Sequence, residues 1–261
     1  MVAVLCPILT SACSSRSYLS VDQVEGFRQS VEQGARFRHL VLYRPGRGGR
    51  LHVYVEGDGR PWLSPDRIAL DPTGNRLLML DLAQLDPAPV LYVGRPCYFG
   101  IEDPACSPEW WTFKRYSEPV VESIAAVVRR HAAGYRGIAL MGHSGGGALA
   151  MLVGARLLPP EEAGGGTNPD IENTDMPNDS RSPCGQAPVL EAVVTIAGNL
   201  DTAAWAGLHG YTPLYGSLNP AEQAPLPATV GQYHLLGDQD GVVTAEMLGP
   251  AVAAQPGAQL R

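Results

Sequence analysis

The chain has 261 residues, 45% of them hydrophobic and 17% charged, with a formal net charge of −7. That balance belongs to a globular chain with apolar mass for one substantial core, and it excludes a disordered one. The acidic surplus argues against nucleic acid as a partner, and no apolar run approaches the roughly eighteen residues that span a bilayer.

The N-terminal stretch MVAVLCPILTSACSSRS is apolar up to Thr10, after which small residues lead to Cys13. The order resembles the end of a bacterial lipoprotein signal, whose Cys is lipidated and becomes the mature N-terminus. Residues 1–20 are thus expected to be a signal segment. Cys13 would then be a lipid anchor to the membrane, and the cell envelope (periplasm, outer membrane or outside the cell) the destination. A buried N-terminal strand is the alternative. Residues 21–261 are expected to form one α/β domain.

FRHLVLY and RLHVYVE flank RPGRGG and read as a hairpin over 37–56. PVLYVGRP at 89–96 reads as a strand. YSEPVVESIAAVVRRH reads as a helix, with Ser117 placed to cap it and Val120, Ile124, Val127 and Val128 on one face. GIALMG is a short, fully apolar strand of the kind buried in parallel sheets, and GALAMLVGARLL is apolar nearly all round, as a core helix is. Residues 161–188 are rich in Gly, Pro and Asn and read as a polar insertion. VLEAVVTIAG and GQYHLLG are two further buried strands. Helical patterns between strands predict βαβ units: an α/β fold with a mostly parallel central sheet and helices on both faces.

Of the five cysteines, Cys97 and Cys106 flank a short loop whose ends can meet in a disulfide; Cys6 would leave with the signal, and Cys184 is left without a partner. No metal-ligand spacing occurs, and no cofactor is expected.

Gly142–His143–Ser144–Gly145–Gly146 fits G-x-S-x-G between a predicted strand and a predicted helix, the context of a nucleophile elbow. A Ser there sits on a sharp turn, and a side chain at the flanking positions would collide with strand or helix. The turn also offers the Gly145 N–H and a helix N-terminus to a forming oxyanion. No Lys follows as in a phosphate-binding loop.

With these features the chain resembles the α/β-hydrolases, in particular bacterial lipoprotein-type members. The resemblance runs through YVEGDGRPWLSP, GRPCYFG, GHSGGGALAMLVGARL and TIAGNLDTAAW. It implies a serine hydrolase acting on carboxylic esters, with Ser144 as nucleophile. The loop after the third strand would give a second oxyanion donor, the Asp58 N–H or else that of Gly59, with Glu56 and Gly57 standing where many members have His-Gly. The Asp58 carboxylate must then point away or be paired, as with Arg60 or Arg95. The acid falls on Asp240, with Asp238 and Asp201 as alternatives.

In family order the His follows the acid, yet none of the 21 residues after Asp240 is a His. Residues 258–261 look like the beginning of a last strand, so that strand and the His are expected to be missing through truncation, leaving this chain weakly active or inactive. His209 is the alternative base. Trp62, Tyr98, Phe99, Trp110, Trp111 and Trp205 follow strand ends, where they would wall an apolar substrate pocket. A peptidase or thioesterase on the same scaffold and a non-catalytic envelope lipoprotein remain as rival readings.

Overall fold

The computed structural model describes residues 24–46, 48–159 and 187–261. Cys6, Cys13 and Cys184, the signal segment and insertion residues 161–186 lie outside these described residues.

The chain opens with two strands, β1 (Arg28–Gln33) and β2 (Arg38–Arg44), followed by β3 (Arg50–Val55), the short pair β4 (Trp62–Ser64) and β5 (Arg67–Ile68), and helix α1 (Leu78–Leu85). Next come β6 (Val90–Val93), α2 (Glu118–Ala132), β7 (Gly137–His143), α3 (Gly145–Leu157), β8 (Val189–Ile196) and α4 (Thr202–His209). β9 (Gly231–Leu235), α5 (Ala245–Ala253) and β10 (Gln259–Leu260) complete the order. Eight strands form one sheet in the order β1-β2-β6-β3-β7-β8-β9-β10. From β6 to β10 every pairing is parallel, while β1 and β2 run antiparallel to their neighbours.

The hairpin expected over 37–56 does not form, because β6 lies between β2 and β3. All four residues of β6 are buried, so this strand needs a neighbour on each edge as well as cover on each face. The true hairpin is β1–β2, one element earlier. The last strand also needs correcting: Gln259 and Leu260 already pair in parallel with Tyr233 and His234 of β9.

α2, α3 and α5 cover one face of the sheet, burying Val121, Ile124, Leu149 and Leu248 against Val53, Leu140 and Val193. α1 covers the other face, with Met79 and Leu80 packed on Tyr54 and Tyr92. The parallel strands therefore deliver their carboxyl ends to one edge, where β3, β6, β7, β8 and β9 release their loops side by side. Cys97 and Cys106 form the expected disulfide, which ties down the loop after β6. Among the described residues no helix is long and apolar enough to cross a membrane.

Candidate active site

Ser144 links β7 to α3 with φ 52° and ψ −121°. This is the left-handed half of backbone space, costly for a residue with a Cβ. Its amide donates to the Ile196 carbonyl at 2.9 Å, and its carbonyl accepts from Asn199 N at 3.1 Å, so the neighbouring β8 end clamps the corner. The flanking glycines are a steric necessity. A Cβ on Gly142 would strike the Gly146 carbonyl, and one on Gly145 would strike the Asp58 carboxylate and the Tyr116 hydroxyl. Ser144 is half-buried and borders two cavities, of about 330 and 590 Å³. Among the described residues no imidazole is hydrogen-bonded to its hydroxyl.

The amides of Asp58 and Gly145 are the proposed oxyanion donors, and among the described residues neither donates to a protein acceptor. The Asp58 peptide is held from two sides. Tyr98 donates its hydroxyl to the Asp58 carbonyl at 2.9 Å. The carboxylate takes Arg95 Nη1 at 2.5 Å, Arg115 Nη1 at 2.9 Å and the Tyr116 hydroxyl at 2.6 Å. Burial alone would raise the pKa of this carboxyl, but Arg115 and Arg95 outweigh it and hold the value at about 2. The predicted pairing with Arg95 is present; Arg60 makes no such contact. Arg115 and Tyr116, both missed from the sequence, complete the arrangement.

Glu56, in the place where many α/β-hydrolases carry His, is a buried carboxyl that lines the smaller cavity. One oxygen accepts from Leu80 N at 3.0 Å, so it satisfies an amide of the first turn of α1, whose own N-cap residue, Leu77, has no side-chain acceptor. Burial pushes its pKa up to about 7 against the opposing pull of the Leu80, Met79 and Gly57 amides.

Asp240 follows β9 and accepts from the amides of Val242 and Val243 at 2.8 and 2.9 Å. Asp201 caps α4, accepting from Ala203 N, Ala204 N and the Asn219 side chain at 3.0–3.1 Å. Half-buried His143 lines the smaller cavity beside Ser144. Burial lowers its pKa, and the negative charges of Asp240 and Asp58 partly restore it. The structure does not bring His209 to Ser144: its Nε2 lies 2.8 Å from the Val242 carbonyl, and its ring stacks on Tyr211. His39, His52, His131 and His234 are engaged with Ser123, Asp86, Glu32 and Thr195, respectively.

Of the predicted aromatic wall, Trp62 and Trp205 line the larger cavity, and Tyr98 and Phe99 the smaller. Trp110 and Trp111 are buried instead. Trp110 packs edge-on against Phe37, and Trp111 donates to the Ala69 carbonyl at 3.1 Å. Phe113, not picked out from the sequence, joins the larger cavity. Among the described residues no cluster of His, Cys, Asp and Glu could hold a metal ion.

No protein-family model matches the chain, and no curated protein does. Among solved structures it is similar to a provisionally named hydrolase of Agrobacterium vitis S4 (TM-score 0.56, 16% identity, 90% of this chain and 88% of that one). An esterase of Pyrococcus furiosus is similar at TM-score 0.53 and 8% identity, over 90% of this chain and 81% of that one. An α/β serine hydrolase homologue of Coxiella burnetii is similar at TM-score 0.52 and 14% identity, over 94% of this chain and 89% of that one. At such identities the likeness speaks to architecture, and the architecture is the α/β-hydrolase fold.

Proposed function

We propose that the chain is a serine hydrolase that cleaves carboxylic esters through an acyl-enzyme at Ser144. The observation that carries this reading is the corner itself. A Ser held at φ 52° borders two cavities, and the amides of Gly145 and Asp58 have no protein acceptor among the described residues. Attack on an acyl carbon would place the developing negative charge against those two N–H groups, and Asp240 is the acid of the arrangement. The base is the one role that no described residue fills by contact with Ser144, so turnover is expected to be slow. The reading extends to an envelope location anchored through Cys13, tested by metabolic labelling with a fatty-acid analogue and its loss in Cys13→Ser.

A fluorophosphonate probe that labels the chain and fails to label Ser144→Ala supports the reading; absence of labelling under native conditions overturns it. Comparing p-nitrophenyl esters with the corresponding anilides and thioesters then separates an esterase from a peptidase or thioesterase. One observation favours a second reading, a binding module that keeps the hydrolase scaffold: the Ser144 hydroxyl has no imidazole partner among the described residues. Failure of labelling selects that reading.

A further inference from the structure

The lining of the cavity beside Ser144 is not acidic as the chain is. Two carboxylates line the smaller cavity, those of Glu56 and Asp58. Asp58 is consumed by Arg95 and Arg115, so that buried cluster carries a surplus positive charge. Glu56 is buried, binds amides of α1 rather than a cation, and is only partly ionised near neutral pH. The same cavity is lined by Arg60 and Arg76, both exposed. Neither guanidinium has a carboxylate or hydrogen-bond partner among the described residues. Outside the lining, the fields of Asp240, Asp81 and Asp71 reach His143, Glu56 and Tyr98, respectively. A chain with a formal charge of −7 thus lines the cavity beside its nucleophile with two guanidinium groups that no described carboxylate pairs.

The backbone fixes where these two arginines stand. Arg60 N donates to the Pro72 carbonyl at 2.7 Å, and Gly59, at φ +63°, packs so closely on residues 72–74 that a Cβ there would meet the Pro72 carbonyl. The second loop is braced in turn. Asp71 accepts from Thr73 N at 2.9 Å, and Thr73 Oγ1 accepts from Phe99 N at 2.6 Å. Arg60 and Arg76 therefore project from two loops zipped together, with heads that have no partner among the described residues. Arg60 also lines the larger cavity, so its reach covers both sides of Ser144.

We propose that Arg60 and Arg76 select esters carrying a carboxylate away from the scissile bond, which the smaller cavity holds while Ser144 attacks. This rests on the serine-hydrolase reading and names its substrate class. A guanidinium presents a planar fork of donors matched to a carboxylate, and two of them in a cavity of about 330 Å³ draw an anion in and fix its orientation.

The test compares mono-p-nitrophenyl glutarate with p-nitrophenyl pentanoate, which places the charge on the acyl side. A second pair, 4-acetoxybenzoate with its methyl ester, places it on the leaving group. The readout is the burst of released phenol, normalised to spontaneous hydrolysis, for the chain and for Arg60→Ala, Arg76→Ala and the double variant. At least one charged ester should react about tenfold faster than its neutral partner, and the double variant should lower that preference at least about fivefold. High salt should compress the preference as well. Equal loss on charged and neutral esters, or no preference for charge in the unsubstituted chain, overturns the proposal. If a neutral fluorophosphonate also fails to label Ser144, the hydrolase reading is what fails. Titration of glutarate into the chain and the double variant then still decides the anion site: binding lost in the variant supports it, and equal or absent binding rules it out.

Discussion

Arg95 and Asp58 form an ion pair, Nη1 to Oδ1 at 2.5 Å, on the residue whose peptide N–H is proposed as the second oxyanion donor. The Arg95 side chain is 1% exposed and that of Asp58 17%. A buried pair contributes little net stability when intact, but removing one partner strands a charge and costs about 3–5 kcal/mol. Arg95→Ala should therefore lower the unfolding free energy by roughly that amount, less the share that Arg115 retains, as urea denaturation would measure. Asp58 has a depressed pKa in the folded state, so its contribution is present above the ordinary carboxylate range and is lost as pH falls through about 2. With Arg95 gone the folded pKa rises, and acid unfolding should begin at a higher pH than in the unsubstituted chain.

Ser144 belongs to a set of four described non-glycine residues at positive φ, with Cys97, Phe99 and Ala197. All four lie just past the carboxyl ends of β6, β7 and β8, the edge that carries the cavities. Such conformations cost on the order of 1–3 kcal/mol each and persist where the surroundings over-determine them. Ser144→Gly relieves the strain while Ser144→Ala retains it. The glycine variant should be more stable than the alanine variant by about 1 kcal/mol, and both should lose fluorophosphonate labelling. Equal stabilities would show that the corner is not strained.

What was legible in the sequence is what depends on neighbours along the chain. The elbow could be read because an apolar run, a glycine-flanked Ser and a second apolar run are contiguous, and the collisions at Gly142 and Gly145 bear out the steric argument. The Cys97–Cys106 disulfide closes a loop of similarly local span. What failed was decided at a distance. RPGRGG looks like a hairpin turn, yet β6, some forty residues on, takes the place between its two strands. β1 escaped notice because RQSVEQ is exposed or half-exposed throughout and offers no apolar alternation. Arg115 and Tyr116 reach Asp58 across 57 and 58 residues, and nothing in FKRYS marks them as its partners.

Of the three aspartates considered for the role of acid, Asp240 and Asp201 are separated by their surroundings. Asp201 is committed to capping α4, with two amides and the Asn219 side chain on one oxygen. Its replacement by Ala should cost about 1 kcal/mol of stability, the usual worth of such a cap. The field of Asp240 reaches His143, whose pKa it helps restore against burial. Asp240→Asn should therefore push the His143 pKa further down, as imidazole proton shifts would show, and Asp201→Asn should leave it in place. A shift of His143 in the Asp201 variant, with none in the Asp240 variant, would reverse the assignment.

Glu56 supplies a pH dependence of the opposite sign to that of Asp58. Its folded pKa is raised to about 7 by burial, from the 4.5 of an ordinary Glu, so between those values the folded state binds more proton than the unfolded one. The linkage then runs downhill with pH. The neutral carboxyl is the form the fold favours, and the contribution of Glu56 to stability falls as pH rises through this window, by at most about 1.4 kcal/mol per pH unit. Glu56→Gln keeps an oxygen able to accept from Leu80 N at the start of α1 and removes the titration. The variant should lack this downward contribution, so the stability of the unsubstituted chain relative to the variant should fall across the window, and the two curves should diverge most above pH 7. Thermal melts across that range would measure both, and parallel curves would show that Glu56 does not titrate there.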